Sequence, residues 1–185
     1  MSAPASLRTG RHRRRALLAI LVAPLAVLGI VTGSGTAHAS TAGLFIPAQN
    51  YAGQPNECSV SGWPNGIIWC GTGIGVTFPN GHQEVFGTGL NDAVWTDWGT
   101  EANPSGWKSM GGQCGQGFNL GLSSEPGTYG LTLYCVGGNA DYWYKTRGSG
   151  VNAGWSGWND TGVPWPDTSP SSLPAGILWS NGQTN

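Results

Sequence analysis

Residues 85–95, VFGTGLNDAVW, and residues 133–143, LYCVGGNADYW, are one segment written twice at an offset of 48, aligned without a gap. Gly89 matches Gly137, Asn91 matches Asn139, Trp95 matches Trp143, and Phe86 matches the aromatic Tyr134. A broken third copy, ILWSNGQT at 177–184, places Trp179 and Gly182 on the same template at a further offset of 45. Self-similarity with a period of about 20 to 50 residues marks a repeat architecture. A second landmark keeps this period: Ser-Gly-Trp recurs at 61–63, 105–107 and 156–158, at spacings of 44 and 51. Each unit reads as SGW, a glycine-rich stretch, an apolar-aromatic strand, a glycine turn and a second aromatic strand, with units near 61–104, 105–155 and 156–185. The chain stops just after Gly182, where the second strand of the last unit should begin. LFIPAQNY at 44–51 precedes the first SGW by about the distance that separates Trp95 from the second. The N-terminal strand 44–51 is therefore expected to complete the last unit and hide its edge.

The first 39 residues read as a secretory signal peptide. Arg8, Arg11, Arg13, Arg14 and Arg15 form a basic region, ALLAILVAPLAVLGIV at 16–31 an apolar core, and Ala37-His38-Ala39 a small-residue cleavage site. The apolar run falls short of the roughly 20 residues that span a bilayer and contains Pro24, so no permanent membrane anchor is expected. Cleavage near Ala39 leaves residues 40–185 as a single secreted repeat domain. That part keeps three cations, Lys108, Lys145 and Arg147, against nine acids, a formal net charge of −6. Such a charge offers little for counterion release from phosphates and argues against nucleic acid and anionic membranes as partners.

Cys58, Cys70, Cys114 and Cys135 all lie in the exported part, where an even number of cysteines reads as disulfides. The local pairs Cys58 with Cys70 and Cys114 with Cys135 are favoured, because each staples one unit internally. Cys70 and Cys114 both fall seven residues after the tryptophan of an SGW, which suggests equivalent places in neighbouring units. No metal or other cofactor is expected: no CxxC is present, and His82 is the one histidine after the leader.

The fold class read from this pattern is all-β. Glycine, proline or asparagine interrupts every candidate helix after residue 40. GVTF at 75–78, HQEVF at 82–86, AVWTDW at 93–98, LTLYCV at 131–136 and YWYKT at 142–146 read as strands, with Asn80-Gly81 as a hairpin signal. Each antiparallel unit can bury its apolar face only against its neighbours.

The run VFGTGLNDAVWTDW, SGWKSMGG at 105–112, LYCVGGNADYWYKT and SGW again resembles the tectonin-type and related bacterial lectin β-propeller repeats. The resemblance covers about residues 61–182 and implies blade-like antiparallel repeats of a β-propeller, disulfide-stapled here. Unit three departs from it with Asp160-Thr161-Gly162 in place of the double glycine, the cysteines are not typical, and about three units stand where a closed propeller has more. Two or more copies would then assemble as a homo-oligomer completing one ring. A β-trefoil, also three units with meeting termini, is the alternative.

Aromatic rings beside Asn or Asp suit the C–H faces and hydroxyls of sugars. Trp95 and Trp143 hold matching places, each just after a polar pair, Asn91 with Asp92 and Asn139 with Asp141. Their alternative role is blade core, and core packing is the stronger reading for Trp63, Trp107 and Trp158 of the SGW triplets. Aromatics that break the repeat, Trp98, Tyr144, Trp155 and Trp165, are better binding candidates. Trp165 lies in VPWPDTSPSSLP, a proline-rich loop without a counterpart. The carbohydrate-binding set is thus Asn91, Asp92, Trp95, Trp98, Asn139, Asp141, Trp143, Tyr144 and Trp165.

No catalytic residue is assigned. A Ser-His-Asp set would depend on His82 in a hairpin turn, and no carboxylate pair is marked out among Asp92, Asp97, Glu101 and Asp141. The expectation is a secreted, non-enzymatic, lectin-like protein binding glycans or polysaccharide. The alternative is a disulfide-stapled protein-interaction or inhibitor module acting through the loop around Trp165, with an enzyme on polysaccharide ranked last.

Overall fold

The computed structural model describes residues 43–115, 119–165 and 173–184; the leader and its cleavage site, and the loop residues 166–172, lie outside them. Among the described residues the chain is all β and forms three antiparallel sheets without a helix. Strands β1 (Gly43–Phe45), β5 (Ile74–Thr77), β6 (Gln83–Thr88), β7 (Val94–Thr100), β8 (Asn103–Pro104) and β9 (Lys108–Gly111) make the first, with β8 and β9 both paired to β7. Strands β10 (Gly121–Ser124), β11 (Leu131–Val136), β12 (Asp141–Arg147), β13 (Asn159–Pro164) and β14 (Leu178–Trp179) make the second, ordered β13-β12-β11-β10-β14. The smallest joins β2 (Gln49–Tyr51), β3 (Glu57–Val60) and β4 (Trp63–Trp69). All five strand expectations coincide with β5, β6, β7, β11 and β12.

The repeat is physical. Hairpin β6–β7 pairs Phe86 with Thr96, and hairpin β11–β12 pairs Tyr134 with Tyr144, the residues 48 positions on. The Ser of each SGW donates its N–H to a matching carbonyl: Ser61 to Ala48, Ser105 to Trp98 and Ser156 to Thr146. The N-terminal segment therefore does occupy the place of β7 and β12 in a preceding, partial unit. Its strand pairing differs from expectation, however. β1 hydrogen-bonds to β5 and β14 to β10, so the two chain ends extend different sheets, and the sheets remain open.

Alternation along the strands divides the core into three layers of contact. Val85 faces the small sheet, packing with Cys58, Val60, Trp63 and Ile68. From the opposite face of the first sheet, Ile74, Val76, Phe86 and Val94 meet Leu122, Leu131, Leu133 and Cys135 of the second. The far face of the second sheet, with Tyr134, Val136 and Tyr142, is covered by Leu173, Ile177 and Trp179. Equivalent residues thus turn in equivalent directions: Phe86 points toward the second sheet, and its counterpart Tyr134 points toward the C-terminal segment. This is head-to-tail packing, in which like faces never meet.

Four hairpins close with one turn. In Phe78–His82, Gly89–Ala93, Gly137–Asp141 and Trp179–Gln183, the first N–H reaches the fifth carbonyl and the fourth N–H the first carbonyl. The third residue is always Asn, its Oδ1 accepting the fifth N–H. The fourth takes a left-handed conformation: Gly81, Asp92, Ala140 and Gly182, with φ of 82°, 60°, 62° and 84°. It is the three-residue hairpin built on a type I turn and a bulge. Trp179 consequently matches Gly137, and Gly182 matches Ala140, which corrects the register of the third copy from 45 to 42.

Both expected disulfides are present, Cys58–Cys70 and Cys114–Cys135. Their cysteines are not equivalent, though. Cys114 bridges Gly137 as Ile68 bridges Gly89, so Cys114 matches Ile68 and not Cys70. Cys114–Cys135 lies within the unit 105–155, as expected, and because that unit begins on the first sheet it also ties the chain leaving β9 to β11 of the second. The SGW tryptophans are core, as expected: Trp63 is 1% exposed, and Trp107 and Trp158 pack against interlayer clusters.

Candidate binding cleft

At one end of the central layer the apolar contact opens into a cleft of about 620 Å³. The first sheet contributes Glu84, Thr96, Trp98 and Lys108, the second Lys145 and Arg147, and turn 78–82 and loop 148–155 form the rim. Along β12, Lys145 and Arg147 lie two residues apart and so share one face with Trp143.

The floor is polar and satisfied. Arg147 Nη1 lies 2.6 Å from Glu84 Oε2, and its Nε and Nη2 donate to the Tyr129 carbonyl at 3.0 and 2.9 Å. The Thr96 hydroxyl donates to Glu84 Oε1 at 2.9 Å. The guanidinium carbon stands 4.7 Å from the Phe78 ring centroid and 5.6 Å from that of Trp155, and Tyr129 stacks on Phe78. Burial raises the Glu84 carboxyl above its ordinary value, against the opposing pull of Arg147 and Thr96.

The walls hold the other two cations. Lys108 Nζ sits 4.2 Å above the Trp98 ring, which is 40% exposed. Lys145 Nζ donates to the Met110 carbonyl at 2.9 Å, an acceptor it shares with Trp158 Nε1 at 3.2 Å. Burial lowers the Lys145 ammonium below the ordinary lysine value. All three lysine and arginine residues that follow the leader therefore converge here, with His82, the one histidine after it. Glu84 is the one acid in the lining.

Of the residues singled out from sequence, Trp98 lines the cleft, and Trp155 joins it from the loop. The others lie elsewhere. Trp95 Nε1 donates to Asn91 Oδ1 at 3.1 Å, and Trp143 Nε1 to Asn139 Oδ1 at 2.9 Å, the same oxygens that brace the two turns. Gly89 and Gly137 make room for this: a Cβ on either would stand 2.6 Å from the indole. Asp92 Oδ1 accepts from Trp69 Nε1 at 3.1 Å, and Asp141 Oδ2 from Asn139 Nδ2 at 2.7 Å. Tyr144 faces Tyr134 in the outer layer, its ring centroid 6.4 Å away. Trp165, 43% exposed, donates its main-chain N–H to the Ala140 carbonyl, which places it beside the 137–141 turn. Asp97 is fully buried and accepts from the Ser105 hydroxyl, and Glu101 is exposed in the 101–102 turn.

Sequence reasoning passed over Lys108, Lys145, Arg147, Glu84 and Tyr129. A signal existed in their scarcity, since two of only three cations lie at i and i+2 on one strand. No group of three or more His, Cys, Asp or Glu able to hold a metal exists among the described residues. No protein-family model and no curated protein sequence matches this chain.

Proposed function

We propose that this is a secreted, lectin-like carbohydrate-binding protein without catalytic activity. The observation that carries the reading is the cleft itself: its volume suits a small saccharide, and the exposed Trp98 face, Tyr129 and Trp155 stand beside hydrogen-bonding side chains. Two disulfides are consistent with an extracellular setting. No helix among the described residues is long and apolar enough to cross a membrane.

The head-to-tail layers support blade-like units, because a ring of blades requires each unit to present one face forward and the other back. The outermost layers are partial, and a further copy of the chain adding there would continue the series into a shared ring. Sedimentation of the protein separates a ring-forming homo-oligomer from a monomer.

Intrinsic tryptophan fluorescence during titration with a panel of oligosaccharides tests the binding reading. Trp98→Ala, checked for folding by circular dichroism, is expected to weaken binding about tenfold or more. Trp143→Ala serves as the comparison away from the cleft. Retained affinity in both folded variants would exclude the tryptophans assigned above. The exposed Trp165 favours one second reading, a protein-interaction module. Free sugar abolishes binding in the first case and leaves it intact in the second.

A further inference from the structure

The cleft differs in charge from the rest of the molecule. Residues 40–185 carry three cations and nine acids, yet the lining holds all three cations and a single acid. Glu84 is already engaged, one oxygen by Arg147 and the other by Thr96. Neither lysine has a carboxylate within ion-pairing distance among the described residues. Lys108 rests on the Trp98 ring, and Lys145 on a neutral carbonyl. Neutral sugars are usually gripped by carboxylates that accept from hydroxyls, but here both oxygens of the one lining carboxylate are occupied, while two ammonium groups stand without a counter-charge among the described residues.

We propose, resting on the carbohydrate reading above, that the cleft takes an anionic sugar, a glycan residue bearing a carboxylate or a sulfate ester. The acid group pairs with Lys108 and Lys145, and the sugar ring lies against Trp98. Two ammonium groups match one or two acid groups. The net negative surface outside the cleft disfavours a long, densely charged polyanion and confines recognition to the cleft. Burial makes the Lys145 ammonium less willing to stay charged when the cleft is empty, and an anion opposite it restores that charge.

The test compares a neutral oligosaccharide, an oligogalacturonate, a sulfated oligosaccharide and a poly-glutamate peptide by fluorescence titration of the protein. Either acidic sugar is expected to bind about tenfold or more tightly than the neutral one, and to weaken several-fold as salt is raised from low to high ionic strength. Which acidic sugar binds more tightly tells carboxylate from sulfate. Lys108→Met is exposed and should fold. Lys108→Met and Lys145→Met are each expected to remove this preference, so that acidic and neutral sugars bind with similar affinity within the same variant. Equal affinity for neutral and acidic sugars, insensitive to salt and to Lys108→Met, overturns the charge assignment and leaves the carbohydrate reading standing. Silence toward all three sugars overturns both. Tighter binding of the peptide than of either acidic sugar overturns the inference in favour of an acidic protein segment.

Discussion

A single amide oxygen holds each repeated turn. Asn139 Oδ1 accepts from Trp143 Nε1 and from the Asp141 main chain, so Asn139→Ala leaves two donors unpaired. A loss of about 1–2 kcal/mol is expected in urea denaturation. The next residue, Ala140, is held at φ 62°, where two of the sister turns carry glycine. Ala140→Gly is therefore expected to stabilise by about 1 kcal/mol, read as a rise in Tm. Asn91 and Asn139 were legible as marked positions, but the sequence presents an Asx turn and a hydroxyl-gripping amide with the same letters. The indole four residues on decides what the oxygen does. Lys145 supplies a pH signature. Its folded-state value lies below the ordinary 10.5, so its contribution to stability is present above that value and lost as pH falls through the folded value. Wild type should gain stability relative to Lys145→Met as pH is raised from neutrality toward 10.5, as followed by denaturant titration at each pH.

Strands and hairpins were readable because alternation and turn chemistry are local. Asn80-Gly81 closes β5 onto β6, and the two copies of the glycine-asparagine turn close β6 onto β7 and β11 onto β12. The third copy misled for a physical reason: Trp179 stands in the glycine's place, so matching aromatic to aromatic slid the alignment by three residues. The disulfides illustrate the same limit. Proximity in sequence identified both pairs, whereas the layers each one joins depend on which sheet its strands enter. Cys114–Cys135 closes a segment with a sequence separation of 21 and ties two sheets together. Replacing both cysteines with alanine is expected to cost about 3 kcal/mol or more, measured by urea denaturation under non-reducing conditions. A loss well below that would mean the central interface alone holds the two sheets in register.

The three sheets of the described residues stack so that each interface is made of one forward and one backward face, and this explains why the cleft escaped sequence analysis. A repeat aligns equivalent positions, but the cleft joins non-equivalent ones, Trp98 and Lys108 from the first sheet with Lys145 and Arg147 from the facing side of the second. Stacked units of this kind are stabilised by nearest-neighbour interfaces and open from their ends. The central interface, which contains Ile74, Val76, Phe86, Leu122, Leu131 and Leu133, should be the last to open. Native-state hydrogen exchange is expected to find the slowest amides in β6 and β11 and faster ones in β2–β4 and β14. Trp63 anchors the N-terminal interface at 1% exposure, and truncation of a buried tryptophan costs about 3–5 kcal/mol. Trp63→Ala should therefore accelerate exchange in β2, β3 and β4 while β11 and β12 keep their protection. Uniform acceleration across all strands would instead mean that the layers unfold as one cooperative block, and that the stack has no independent ends at which another copy of the chain could join.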